Sequence, residues 1–153
     1  MKSQTVSTEM WQAQLPEDWT LIEGTGSSIY FESPDGAAGA YFLAWRVFGR
    51  SLDEAVQDTR ASERRALPET EEGQWEIVRS SAQDDAHQID GVVEYFNRRS
   101  CYRITSRILG RRGYCVRLAY HDYYCTDFEQ SAEQSVRWLT SLTLLAPEDV
   151  GPQ

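Results

Sequence analysis

The apolar residues of this chain change their spacing three times, and that alone narrows the architecture. From residue 10 to 48 they recur at every second position: Trp11, Ala13 and Leu15 share one face, and Pro16-Glu17-Asp18 turns the chain into a second strand at 19–23. In 27–33, Ile29 and Phe31 oppose Tyr30, and Pro34-Asp35-Gly36 then supplies a fixed φ followed by a residue tolerant of positive φ. The stretch 38–48 is apolar on both faces, which predicts an interior strand covered on each side. At Ser51 the period lengthens: Ser51 and Glu54 form a capping box, Leu52, Ala55, Val56 and Thr59 follow at helical spacing, and Pro68 ends the run near Ala66. Alternation returns at 75–83, 88–98, 101–109 and 114–121. A second capping box, Thr126 and Glu129, then opens an amphipathic helix with Phe128, Ala132, Val136 and Leu139 on one stripe, before a short strand at 142–145. Strands in runs, joined by tight turns and interrupted by two helices, predict an α+β fold: an antiparallel sheet of about six to eight strands flanked by two main helices.

At 153 residues this is one domain, and a chain of that size buries enough surface to hold a core without disulfides or metal. The expected organisation is a flexible end at 1–9, a single domain at 10–145 and a tail at 146–153. No apolar run approaches the roughly 20 residues that a bilayer span requires, and the first dozen residues lack the apolar core of a secretory signal. No membrane association is expected, and the expected compartment is the cytoplasm. Cys101, Cys115 and Cys125 are odd in number and sit among aromatic or apolar neighbours, so they read as reduced, buried thiols.

The net charge of −9 is unevenly distributed. Seven arginines and no acid lie between Arg98 and Arg117, leaving eight bases and 24 acids for the rest of the chain. Such acidity opposes binding to a phosphate backbone, so no nucleic-acid partner is expected; it suits a basic protein partner or plain solvation. The loop at 68–73 adds Glu69, Glu71 and Glu72 to the acidic surface.

Motifs for catalysis are missing. There is no nucleophile elbow, zincin helix, Cys-x-x-Cys pair or P-loop, and Gly24-Thr25-Gly26-Ser27-Ser28 lacks the lysine and following helix of a phosphate loop. His121 with Cys125 is the only pair suited to nucleophilic chemistry, and no orienting third group accompanies it. The reading is therefore non-enzymatic, with no catalytic residue, cofactor or metal.

The arginines carry the most specific expectation. If Tyr102, Ile104 and Ile108 share a face with Tyr114, Val116, Leu118 and Tyr120, a three-residue loop sets Arg107 opposite Cys115 and Arg103 opposite Ala119. Arg103, Arg107 and Arg117 then form one ribbon of guanidinium groups, with Arg111 and Arg112 at the hairpin tip. Two readings follow. The arginines pair internally, with Glu94, Glu76 or acids of the helices, or they face a protein partner together with the aromatic anchors Tyr95, Tyr123 and Tyr124.

Several segments together resemble one known superfamily: Trp11-Gln-Ala-Gln-Leu15-Pro16-Glu-Asp-Trp19, Ile29-Tyr-Phe-Glu-Ser-Pro34-Asp-Gly36, Ser51-Leu52-Asp-Glu-Ala, Tyr114-Cys-Val-Arg-Leu-Ala-Tyr and the closing Phe128…Val136…Leu139…Ser141-Leu142. The likeness is to PsbP-like proteins, which include a photosystem II extrinsic subunit, a Ran-binding import factor and the bacterial Eag-type secretion chaperones. It spans about residues 11–144 and implies a bacterial member that binds a protein, as a monomer or homodimer. The function expected from charge and resemblance is that of an immunity protein neutralising a cognate toxin delivered by a type VI or contact-dependent system. The alternative is an Eag-like chaperone or adaptor for a type VI effector.

Overall fold

A polar segment opens the fold. In a computed structural model, which describes residues 2–25, 28–67, 75–84 and 88–147, β1 (Ser3–Ser7) runs antiparallel to β2 (Trp11–Pro16). The stretch 1–9 was expected to be flexible. Instead it buries Val6, and Gln4 ties the start of the chain to the corner after β2 by donating to the carbonyls of Pro16 (3.0 Å) and Trp19 (2.7 Å). Backbone pairing to a neighbouring strand orders a sequence whose side chains alone would not. A short β10 (Thr143–Leu144) pairs with the other edge of β2 and completes a three-stranded sheet.

The remaining strands form a second antiparallel sheet. β3 (Thr20–Thr25), β4 (Ser28–Glu32) and β5 (Ala38–Arg46) make a meander, and β6 (Trp75–Asp84), β7 (Gln88–Asn97), β8 (Tyr102–Arg111) and β9 (Tyr114–Asp122) make another. β5 pairs with β9, giving the order β3-β4-β5-β9-β8-β7-β6. The corner at Pro16 thus hands the chain from one sheet to the other. At the next turn Gly36 takes φ +71°, and Asp35 accepts from the Ala37 amide.

Each face of the large sheet is covered. α1 (Leu52–Ala66) lies over β7, β8 and β9, its N-terminus capped by Ser51 Oγ, which accepts from the Glu54 amide. α2 (Phe128–Leu139) lies on the opposite face beside the small sheet. The main core fills the space between the large sheet and the layer made by α2 and the small sheet, with Trp11 stacked on Phe42 at 4.5 Å and Phe31 set edge-on to the same ring. The α2 cap is one residue later than expected: Asp127, not Thr126, accepts from the Gln130 amide. Its buried stripe is Ser131, Ser135, Trp138 and Leu139, whereas Phe128 and Val136 remain partly exposed. The two serines let the helix backbone approach the sheet, and Trp138 supplies the bulk. Among the described residues no helix is long and apolar enough to cross a membrane. The tail expected at 146–153 is held at its start, where the Ala146 carbonyl accepts from Arg111 and Tyr114; residues 148–153 lie outside the described residues.

Candidate functional site

The arginine ribbon does not form. β8 and β9 meet through a two-residue loop, Arg112-Gly113, with Gly113 at φ +100°, and Arg107 lies opposite Leu118 and Arg103 opposite Asp122. The register differs from the expected one by three residues. Because side chains alternate, an odd shift turns Arg117 to the face opposite Arg103 and Arg107. Arg103 is 1% exposed: it donates to Glu94 (2.7 Å) and to the Phe128 carbonyl (2.9 Å), beneath the Phe128 ring. Arg107 pairs with Asp90 and donates to the carbonyls of Leu139 and Leu142, closing the C-terminal end of α2. Internal pairing therefore accounts for these two, which are not available to a partner. Arg111 anchors the chain at Ala146, and Arg112 alone of the five is exposed, at the hairpin tip.

Arg117 belongs to a polar network under α1. Glu63 of that helix accepts from Arg60 Nη1 (3.0 Å and 3.1 Å), Tyr95 Oη (2.7 Å), Arg117 Nε (2.5 Å) and the Ser106 hydroxyl. Arg60 also donates to the Gly91 carbonyl and to Ser106. Burial opposes ionisation of Glu63, but Arg117, Arg60 and Ser106 more than offset it and hold the carboxyl below its usual range. Neither Arg60 nor Glu63 stands out in the sequence as a site residue. A signal existed: the stripe Val56 and Thr59 continues four residues on to Arg60 and Glu63.

Where α1 ends, a cleft of about 310 Å³ opens beside this network. Its walls are Tyr41, Tyr95, Tyr102 and Ile104, its mouth lies against Ala66 and Leu67, and Glu63, Arg117 and His121 line its polar side. Behind it runs a ring cluster: Tyr30 stacks on Tyr41 (4.2 Å), Tyr41 meets His121 edge-on (4.8 Å), and Tyr102 meets Tyr123 (5.2 Å). Gly39 permits it, since a Cβ there would lie 2.5 Å from the Tyr30 ring. Tyr102 Oη and His121 Nδ1 share a 2.6 Å hydrogen bond, and Tyr30 and Tyr123 join hydroxyls at 2.9 Å. Burial, reinforced by Arg117, pushes the His121 pKa down to about 3, so the ring is neutral at neutral pH. Tyr95 and Tyr123 were expected as exposed anchors, but Tyr95 is buried, its hydroxyl on Glu63, and Tyr123 is half-buried in this cluster; Tyr124 is 68% exposed on the neighbouring turn.

His121 and Cys125 do not assemble into a nucleophile. No hydrogen bond joins them among the described residues, His121 gives Nδ1 to Tyr102, and burial pushes the Cys125 thiol up. Cys115 is likewise raised, to about 11, by burial alone. The expectation of three buried thiols fails at Cys101, which is exposed in the β7–β8 turn at φ +53°. Among the described residues no group of three or more His, Cys, Asp or Glu could hold a metal ion. Glu69, Glu71 and Glu72 lie outside the described residues. Other acids gather on the α2 side, where Glu17, Asp18 and Asp35 rim a cleft of about 860 Å³ floored by Trp19, Tyr120 and Trp138, with Lys2 and Arg137 at its margin.

No family model matches the chain, and no curated protein matches it by sequence. Solved structures do resemble it. The cyanobacterial PsbP protein CyanoP from Synechocystis superposes with a TM-score of 0.69 at 12% identity, over 93% of this chain and 92% of that one. The Ran-binding protein Mog1p of Saccharomyces cerevisiae superposes with a TM-score of 0.61 at 11% identity, over 95% of this chain and 96% of that one. At these identities the likeness is one of fold: this chain adopts the PsbP-like architecture, two helices on opposite faces of a seven-stranded antiparallel sheet with a smaller sheet alongside.

Proposed function

We propose that the chain is a non-enzymatic protein-binding domain, and specifically an immunity protein that captures and neutralises a basic toxin. The observation that carries this reading is where the charge resides. Four arginines (60, 103, 107 and 117) and three carboxylates (Glu63, Glu94 and Asp90) form the interior pairs, a net +1, so the rest of the chain carries −10. Part of that acidity lies at the 860 Å³ cleft, where Glu17, Asp18 and Asp35 outnumber Lys2 and Arg137 around aromatic residues. Acidic rims around apolar floors steer and then hold a basic partner. Mog1p, which shares this architecture, is a Ran-binding protein, and that likeness supports protein binding in general without bearing on the toxin. The test is affinity capture from the native lysate at low and high salt, followed by co-expression with the captured protein. A salt-sensitive partner whose toxicity is relieved by the wild type but not by the charge-reversed Asp18→Lys/Asp35→Lys variant is the expected result. Relief by both would remove the acidic cleft from the mechanism.

A second reading, the Eag-like secretion chaperone, is favoured by one observation. Edge strand β3 exposes Leu21 and Ile22, each 57% accessible, beside an unpaired backbone edge onto which an extended apolar effector segment could add as a strand. A bulge between Leu21 and Glu23 interrupts that edge. A salt-insensitive partner lost on Ile22→Lys would replace the immunity reading with this one.

A further inference from the structure

We propose that the cleft at the end of α1 binds a carboxylate carried on a single aromatic ring, with Arg117 as the anion-binding residue. The inference is independent of the acidic surface that carries the proposed function.

It starts from the charge balance beneath α1. Arg60 and Arg117 share one carboxylate, that of Glu63, whose two oxygens accept from Arg60, Arg117, Ser106 and Tyr95. The network thus holds one positive charge in excess. Arg60 is spent on the interior, since both of its terminal nitrogens donate to Glu63, Ser106 or Gly91. Arg117 is not: among the described residues only its Nε has a partner. Its side chain is 18% exposed and lines the cleft. The two Nη groups thus present a fork of donors at the spacing that a carboxylate accepts through both oxygens.

The surroundings choose the rest of the ligand. Tyr41 and Tyr102 bound the cleft on either side of His121, whose Nδ1 is committed to Tyr102 while its other ring nitrogen has no partner among the described residues. Since the imidazole is neutral, it can hydrogen-bond a ligand without competing for its charge. A volume of about 310 Å³ stands at the small end of ligand pockets and suits one ring with a short tail. Aromatic walls beside an unspent guanidinium favour a flat anionic body over a cation or a neutral aliphatic one. The same chemistry exists in free aryl acids and in the C-terminal aromatic residue of a protein.

The experiment is a ligand titration of the full chain followed by amide and imidazole NMR. The probes are phenylacetate, 4-hydroxybenzoate, an acetylated pentapeptide ending in Tyr with a free carboxylate, the amides of all three, and benzylamine. We expect at least one acid to saturate, with shifts at Tyr41, Tyr102, Arg117 and His121, and its amide to bind at least about tenfold more weakly. Saturation by the free acids assigns a small molecule; saturation by the peptide acid alone assigns a chain terminus. Arg117→Lys, which keeps the charge but loses the fork, should weaken binding about tenfold. Tyr41→Ala, which leaves the ion network untouched, should weaken it severalfold if Arg117→Lys does not fold. Amides or benzylamine binding as well as the acids, or no acid binding by about 10 mM, would overturn the proposal.

Discussion

Arg107 and Asp90 meet across β8 and β7 through two parallel hydrogen bonds, Nε to Oδ1 and Nη2 to Oδ2, each 2.9 Å long. The remaining nitrogen, Nη1, donates to the carbonyls of Leu139 and Leu142 at the end of α2. One side chain therefore joins two strands to the helix that covers them. Arg107→Met should destabilise the fold by about 2–3 kcal/mol, because it strands a partly buried carboxylate and takes a donor from the carbonyls of Leu139 and Leu142. Asp90→Asn keeps one acceptor and should cost less. A double-mutant cycle by urea unfolding should return a coupling of about 1 kcal/mol or more; additive costs would show that the bidentate pair contributes only packing.

Glu63 is the single anion between two guanidinium groups, and removing its charge should cost more than removing any surface acid. Glu63→Gln leaves Arg60 and Arg117 beneath α1 without a counter-charge, and about 3 kcal/mol should be lost at neutral pH. The pH dependence has a definite sign. The folded-state pKa of Glu63 lies below its ordinary value of 4.5, so its contribution is complete above that value and fades as pH falls through the folded one. The gap between wild type and variant, followed by chemical unfolding, should therefore narrow on acidification below about pH 4.5.

The α+β class, both helices, the α1 cap and the Pro34-Asp35-Gly36 turn were legible because each depends on neighbours in sequence. Register was not. Tyr102, Ile104 and Ile108 do share a face, but it is the α1 face, with Arg117 and His121, whereas Tyr114, Val116, Leu118 and Tyr120 face the main core with Arg103 and Arg107. When both faces of a sheet are covered, apolar residues on adjacent strands need not share a side, and alternation loses its power to fix the pairing. The cleft was hidden for a related reason. Arg60, Glu63, Tyr41, Tyr102 and His121 come from four elements, and nothing in their spacing brings them together.

Gly39→Ala tests the ring cluster from its tightest point. The added methyl would sit 2.5 Å from Tyr30 Cε1 and Oη, so the ring must leave its stack on Tyr41 and its hydroxyl bond to Tyr123. A loss of about 1–3 kcal/mol is expected, the range for overpacking a filled site. It should be accompanied by a changed near-ultraviolet circular dichroism signal from the tyrosines. An unchanged spectrum would show that Tyr30 yields without cost.

Deletion of residues 2–8 separates a flexible end from a structural strand. It removes β1, uncovers one whole edge of β2 and exposes the apolar surface that Val6 covers. The truncated chain should melt several degrees lower and self-associate through the bare edge, as unpaired strands do. Equal melting temperatures and a monomeric profile in size-exclusion chromatography with light scattering would make β1 dispensable.

His121 offers the sharpest test of the cleft's electrostatics. Burial and the nearby Arg117 lower its pKa from 6.5 to about 3, so between these values an unfolded chain binds a proton there and the folded chain does not. Acidification through that window must therefore draw the protein towards unfolding. One proton of difference sets a slope of up to about 1.4 kcal/mol per pH unit. His121→Gln can still hydrogen-bond Tyr102 but cannot be protonated, and this share of the slope should vanish from it. The interval from about pH 6 to 5 is the place to measure, because it lies below the ordinary histidine pKa and above the range in which Glu63 titrates. Unfolding curves there should show wild-type stability falling faster than that of the variant by about 1 kcal/mol per pH unit. In the same interval the His121 imidazole resonances of the folded protein should not move. A His121 ring that titrates near 6.5 would mean that water and charge reach the back of the cleft freely, and the contrast in slope would then be absent as well.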